Sequence, residues 1–328
     1  NEPSPYLGSD DVVTPESIDE IEDILISAGY PVINSDSKYP EYLENADGVH
    51  TFWESVKAGK DDETAFWSVS SSGGLVYRAL QFADGEAYCI IGSAEWNESG
   101  ALNLDYVQKR EVFNWDMTFG GDFYYQDIHT DRHWDAATLL RLSPVDEELY
   151  AWNLRCVLPI GHQNINTFLC DWGSTDYGDL SFNDMFGHLY RMKYNEHAYT
   201  KDYEHSESPY YHYRIPAQTF EDTVFSYFSI SLTDFRKRAS YNEEEDFYPW
   251  QDIDATNIYY FPSLTPEVTA ANENSDGSVT LCVTVMCLDM RTDCLFKHEV
   301  TIMPQDNGKF KYLSNQVTYR SDKELPSS

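Results

Sequence analysis

Between Arg214 and Tyr319 the spacing of apolar residues changes period, and this change constrains the fold more than any other feature. Pro216 stands where a first helical turn accepts proline. Ala217, Phe220, Val224 and Phe228 then recur at three- and four-residue steps and draw one apolar stripe. Further on, Val279, Leu281, Val283, Val285 and Cys287 alternate with Thr280, Cys282, Thr284 and Met286. That is the two-residue period of a strand buried on one side. A helix with one apolar stripe and a sheet with one apolar face each need a cover, and each supplies the other's. The expectation is α+β, with short helices laid on curved antiparallel sheets.

At 328 residues the chain has room for two such bodies. Thr14-Pro15-Glu16 starts a helix with a hydroxyl cap, a first-turn proline and an early acid; Ile18, Ile21, Leu25 and Ala28 form its stripe, and Gly29 closes it. A second helix carries Ala46, Val49, Trp53 and Val56 and stops at Gly59. A meander follows from Phe66 to Ile128, its firmest hairpin marked by Asp84-Gly85. Leu139 to Leu142, Glu148 to Leu158 and Asn166 to Trp172 read as three more strands. Ser181-x-x-Asp184 opens another helix in capping-box style. From Lys193 to Tyr213 no period is legible, which places the expected boundary there. The expected organisation is a tether over 1–13, an N-terminal domain over 14–213 and a C-terminal domain over 214–328.

Charge excludes some partners. Lys and Arg number 22 against 56 Asp and Glu, a net charge of −34. The linear sequence shows no cation cluster able to face a phosphate backbone, so nucleic acid is not an expected partner. The one basic run, Arg236-Lys237-Arg238, ends a short helix and reads as a source of salt bridges. No apolar run of about 18 residues exists to span a bilayer. The polar, proline-bearing start, Asn1-Glu2-Pro3-Ser4-Pro5, resembles the linker left after an export signal. The expectation is an extracellular protein held at the cell surface by a lipid anchor upstream of Asn1. Six cysteines are present. Cys287 and Cys294 flank a hairpin loop at a parity that would suit a bridge, but inert half-buried thiols are the preferred expectation.

Motifs for known chemistry are missing. His129-x-x-x-His133, with Asp127, Asp131 and Asp135 nearby, has the spacing of a helical zinc site, but Thr130 stands where the catalytic Glu would and the flanks are not helical; no metal and no cofactor is expected. Asp61-Asp62-Glu63 and Glu243-Glu244-Glu245-Asp246 lack the spacing of a calcium loop. Nucleophile elbow, phosphate-binding loop and dinucleotide fingerprint are all absent. What remains is aromatic. Asp171, Trp172 and Tyr177 in one stretch, and Tyr248 and Trp250 in another, set flat rings beside hydrogen-bonding groups in apparent loops, a surface suited to sugars or peptides. The expected function is a non-enzymatic binding module for an extracellular glycan or protein. The alternative is a hydrolase acting on an extracellular polymer such as a carbohydrate through an unidentified acidic pair.

Several strings carry a resemblance: Phe168-Leu169-Cys170-Asp171-Trp172, Phe182-Asn183-Asp184, Ile215-Pro216-Ala217 through Tyr227-Phe228, Tyr248-Pro249-Trp250, and Gly308 to Asn315. They resemble an uncharacterised family of secreted lipoproteins of gut Gram-positive bacteria, a domain of unknown function, over most of residues 130 to 320. The resemblance implies export and architecture and brings no activity with it. The helix-then-sheet order of the C-terminal part is also similar to cystatin-like α+β rolls, an analogy of fold alone.

Overall fold

The structure, a computed structural model, describes residues 15–35, 38–97, 99, 101–129, 135–162, 165–201, 203–204, 212–252 and 262–323. The expected tether over 1–13 lies outside them. The chain divides into two compact units, Asn1–Asp146 and Glu147–Ser328. The boundary expected at 213/214 therefore falls inside the second unit. The strand Trp172–Gly173, from the part assigned to the first domain, pairs with the strand Phe310–Arg320.

In the first unit, α1 (Pro15–Ser27) leads into a short hairpin of β1 (Val32–Asn34) and β2 (Tyr42–Glu44). Then come α2 (Asp47–Lys57), β3 (Asp62–Val69), β4 (Leu75–Ala83), β5 (Glu86–Trp96) and β6 (Leu102–Glu111). They form one six-stranded sheet, ordered β2-β1-β3-β4-β5-β6. All its pairings are antiparallel except β1 with β3, where Val32 meets Trp67. Parallel neighbours need a crossover, and α2 supplies it. The Asp84-Gly85 turn takes the positive φ that its residue types favour. A smaller antiparallel sheet follows from β7 (Asn114–Met117), β8 (Phe123–Gln126) and β9 (Thr138–Leu140). Phe52 of α2, Phe66, Leu80, Cys89, Phe123 and Leu140 share one core, so both sheets and the helix close around the same apolar centre.

The second unit opens with α3 (Glu147–Trp152), which runs into a π-helical turn over Asn153–Val157. The i→i+5 bond from Leu158 N to Asn153 O marks that turn. Here the expected strand over 148–158 is corrected to helix. Asn153, Cys156, Val157 and Ile160 are the buried positions, a helical spacing within a short apolar run that by itself suits a strand or a buried helix equally. The expected strand over 166–172 shrinks to the two-residue β10 (Trp172–Gly173). After α4 (Phe182–Tyr194) come β11 (His212–Pro216), α5 (Ala217–Tyr227), α6 (Leu232–Arg238) and β12 (Phe247–Gln251); β11 and β12 pair antiparallel. The chain ends on the meander β13 (Thr265–Glu273), β14 (Val279–Cys287), β15 (Thr292–Pro304) and β16 (Phe310–Arg320). With β10 these make a five-stranded antiparallel sheet, ordered β10-β16-β15-β14-β13.

The expected stripe and alternation are both buried: Ala217, Phe220, Val224 and Phe228 on one side, Val279, Leu281, Val283 and Val285 on the other. Phe220 stacks on Phe186 of α4 at 4.3 Å and on Tyr248 of β12 at 4.4 Å. Register shifts in β13/β14, β14/β15 and β15/β16 add the local twist of β-bulges. All six cysteines are unbridged, Cys287 and Cys294 included.

A cation-lined cleft as the candidate functional site

The aromatic contact surface expected from the sequence lies in the interior. Trp172, Tyr177 and Trp250 are 4–5% exposed and Tyr248 is fully buried. Trp172 lies nearly parallel to Tyr177 and donates its Nε1 hydrogen to Thr167 O at 2.6 Å. Tyr248 donates to Glu221 Oε1 at 2.9 Å. Trp250 packs edge-on to Phe186 of α4. Asp171 is exposed, but its Oδ1 is taken by the Val317 backbone N–H at 2.7 Å. These rings pack against α4 and α5 as core, so they offer no exposed strip to a ligand.

The histidine motif is described only in part. His129 stacks on Phe113 at 3.8 Å, whereas Asp131 and His133 lie outside the described residues. Among the described residues no group of three His, Cys, Asp or Glu side chains could hold a metal ion. In the basic run, Arg236 pairs with Glu221 at 2.7 Å, Lys237 with Asp234 at 3.6 Å and Arg238 with Asp176 at 3.3 Å. As expected of it, the run is spent on salt bridges.

A different place stands out in the second unit. A cleft of about 1070 Å³ is walled by the π-helical turn and the turn after it, the C-terminal half of α4, the last turn of α5, the lead into β13, and the β15–β16 turn. Arg155, Arg191, Lys193 and Lys309 line it together with His162 and His188, and among the described residues no Asp or Glu does. In a chain with 56 acids and 22 bases, such a lining is the reverse of the average surface. None of the four cations is ion-paired among the described residues. Arg191 and Lys193 occupy the last turn of α4, where the helix dipole by itself favours positive charge. That accounts for two of the four, and neither for Arg155 and Lys309 nor for the missing carboxylates.

Local contacts hold these side chains in place. The Arg155 guanidinium lies 4.0 Å above the Trp152 ring. Lys193 donates to Asp222 O at 2.8 Å, and His188 Nδ1 donates to Pro159 O at 3.1 Å, tying α4 to the neighbouring turn. Asn153, buried in the π-helical turn, donates to Pro266 O at 2.9 Å and so fixes the approach to β13. Burial pushes the Tyr227 hydroxyl up to about 12, so it stays a neutral donor at physiological pH. Leu154, Leu158 and Tyr194 add exposed apolar surface to the same lining.

Unmet polar atoms gather there too. Among the described residues six buried side-chain nitrogens or oxygens lack a hydrogen-bond partner, and Arg155 Nε, His162 Nδ1 and Asn153 Oδ1 are three of them. Two belong to the lining, and the third belongs to the side chain that anchors Pro266. Buried groups left unmet are rare in folded proteins, and half of those found among the described residues gather beside this cleft. The sequence reading missed all of these residues because they are scattered from 153 to 309. One signal was available: Arg155 interrupts the apolar run from Leu154 to Leu158.

A family model described as a family of unknown function (DUF6070) matches residues 5–327. No curated protein and no solved structure matches the chain.

Proposed function

The chain belongs to the DUF6070 family of unknown function, and we propose that it is a non-enzymatic binding module whose second unit takes an anionic ligand in the cleft. One observation carries this: among the described residues four cations free of ion pairs, and no carboxylate, line a cavity in a chain of net charge −34. Unneutralised like charges repel one another, and an anion relieves that repulsion. The acidity and the lipoprotein resemblance support an extracellular glycan or protein as the bearer of the anionic group, met by a chain held at the cell surface. Hydrolysis through an acidic pair gains no support at this cleft, because both carboxyls would have to come from its lining.

A glycan array on the full chain, with acidic and neutral sugars side by side, tests this. Binding to acidic members is expected. In Arg191→Glu/Lys309→Glu, both at exposed positions, that binding is expected to fall by about tenfold or more, since each reversal changes the interaction by roughly 1 kcal/mol or more at contact distance. Equal capture of neutral sugars, or binding unmoved by the reversals, would refute it.

A further inference from the structure

His162 stands in the wall of the cleft, 3% exposed, at the end of a chain of hydrogen bonds that settles where its proton sits. Asn315 Nδ2 donates to Cys170 O at 2.9 Å. A carbonyl only accepts, so the amide nitrogen must face it, and Asn315 Oδ1 is left towards His298 Nδ1 at 2.7 Å. That oxygen also only accepts, so His298 carries its proton on Nδ1 and its Nε2 is bare. His298 Nε2 lies 3.0 Å from His162 Nε2, so the proton between them belongs to His162. One proton remains the complement of a neutral ring, and His162 Nδ1 is left as a lone pair, buried and without a partner. Burial keeps both rings neutral: it holds His162 well below the usual imidazole range and His298 at about 4.

Arg155 Nε is the converse, a buried N–H without an acceptor. A simple carboxylate accepts hydrogen bonds and so satisfies arginine and lysine, but it has nothing to give a bare imidazole nitrogen. A ligand that carries both an acceptor and a donor meets both demands at once.

We propose that the ligand of the cleft is a polyhydroxylated anion, of the class of sugar acids and sugar phosphates, with its charged group among Arg155, Arg191, Lys193 and Lys309 and one hydroxyl donating to His162 Nδ1. The inference rests on the anion-binding reading above and narrows it. The exposed faces of Leu154, Leu158 and Tyr194 offer the apolar contact that the C–H face of a sugar ring needs.

Calorimetric titration of the full chain with glucuronate, glucose 6-phosphate, cyclohexanecarboxylate and glucose tests this. At least one of the first two is expected to bind, which separates carboxylate from phosphate. Cyclohexanecarboxylate and glucose are each expected to bind about tenfold more weakly or worse, the measure of one hydrogen bond to a buried group or of the lost charge. In the ¹⁵N-histidine-labelled chain, the bare Nδ1 resonance of His162 is expected to move with the hydroxylated anion and to stay with cyclohexanecarboxylate. It is assigned by its loss in His162→Phe or, should that variant not fold, by coupling across the hydrogen bond to His298. Equal affinity for glucuronate and cyclohexanecarboxylate, or a His162 resonance that never moves, would overturn the hydroxyl inference and leave the anion site standing. No binding of any anion would overturn both.

Discussion

Gly187 decides at the scale of one residue whether Trp250 is core or surface. A Cβ there would meet Trp250 Cζ2 at 2.8 Å, so the indole seats against α4 only because the helix offers no side chain at that point. Gly187→Ala should therefore destabilise the second unit by about 1–3 kcal/mol in urea unfolding, although alanine is the better helix former by about 1 kcal/mol. A gain in stability would mean that the ring does not pack there. The buried histidine pair makes a second prediction. His298 titrates at about 4 in the fold against roughly 6.5 when unfolded. Between those values the unfolded chain binds a proton that the folded chain refuses, so the pair's contribution is complete above about pH 6.5 and is lost as pH falls towards 4, by up to about 1.4 kcal/mol per pH unit for His298. Among the described residues the groups facing the pair are the rings of Phe168 and Phe296 and the amide of Asn315; the amide oxygen favours a protonated His298, but burial outweighs it. Acid also relieves the repulsion among the chain's many carboxylates, so the useful measure is a difference. Unfolding free energy against pH should be shallower in His298→Gln than in the parent between pH 4 and 6.5, and parallel profiles would count against a neutral buried ring.

Among the elements, α4 is one whose start the sequence states openly. Ser181 caps it by accepting from Asp184 N, and the Ser-x-x-Asp spacing marks that cap in advance. Ser181→Ala should cost about 1 kcal/mol, read from the shift in the urea midpoint at unchanged slope. The π-helical turn is the contrary case. The apolar run of 148–158 suits a strand or a buried helix equally, since its only aromatic or β-branched residues are Tyr150, Trp152 and Val157. Contacts made elsewhere, Asn153 to Pro266 and Tyr312 to Cys156 O at 2.6 Å, hold that stretch as helix instead. A π-turn carries one residue more than the α-helix around it. Deleting Leu154, which is 47% exposed, should restore regular helix and swing Arg155 by roughly 100° about its axis. The expected result is a near-native circular dichroism spectrum with acidic-sugar binding lost; retained binding would show that the turn does not place Arg155.

For the whole molecule, net charge is the dominant quantity. A surplus of 34 negative charges makes the compact state repel itself. Raising salt from 0.01 to 0.15 M shortens the screening length from roughly 30 Å to about 8 Å. The melting temperature should rise over that interval in scanning calorimetry, and a flat or falling response would mean that the charges are already neutralised by one another. The cleft should respond in the opposite sense, its hold on an anion weakening as its own cations are screened.

Periodicity and turn chemistry were sufficient for much of the architecture. They foretold the α5 stripe, the β14 alternation, the Asp84-Gly85 hairpin and the α+β class, because each depends on neighbours a few residues away. They also foretold that Arg236, Lys237 and Arg238 would be consumed in salt bridges. Tertiary structure alone decided the rest. A sequence shows that Trp172, Tyr177, Tyr248 and Trp250 are aromatic, but burial depends on what stands opposite, and α4 and α5 cover them. It shows few and scattered cations, but local potential sums over space, and the fold gathers Arg155, Arg191, Lys193 and Lys309 from three distant stretches into one cleft whose described lining holds no acid. Local order follows from adjacent residues, whereas a binding site depends on distances that only the closed chain fixes.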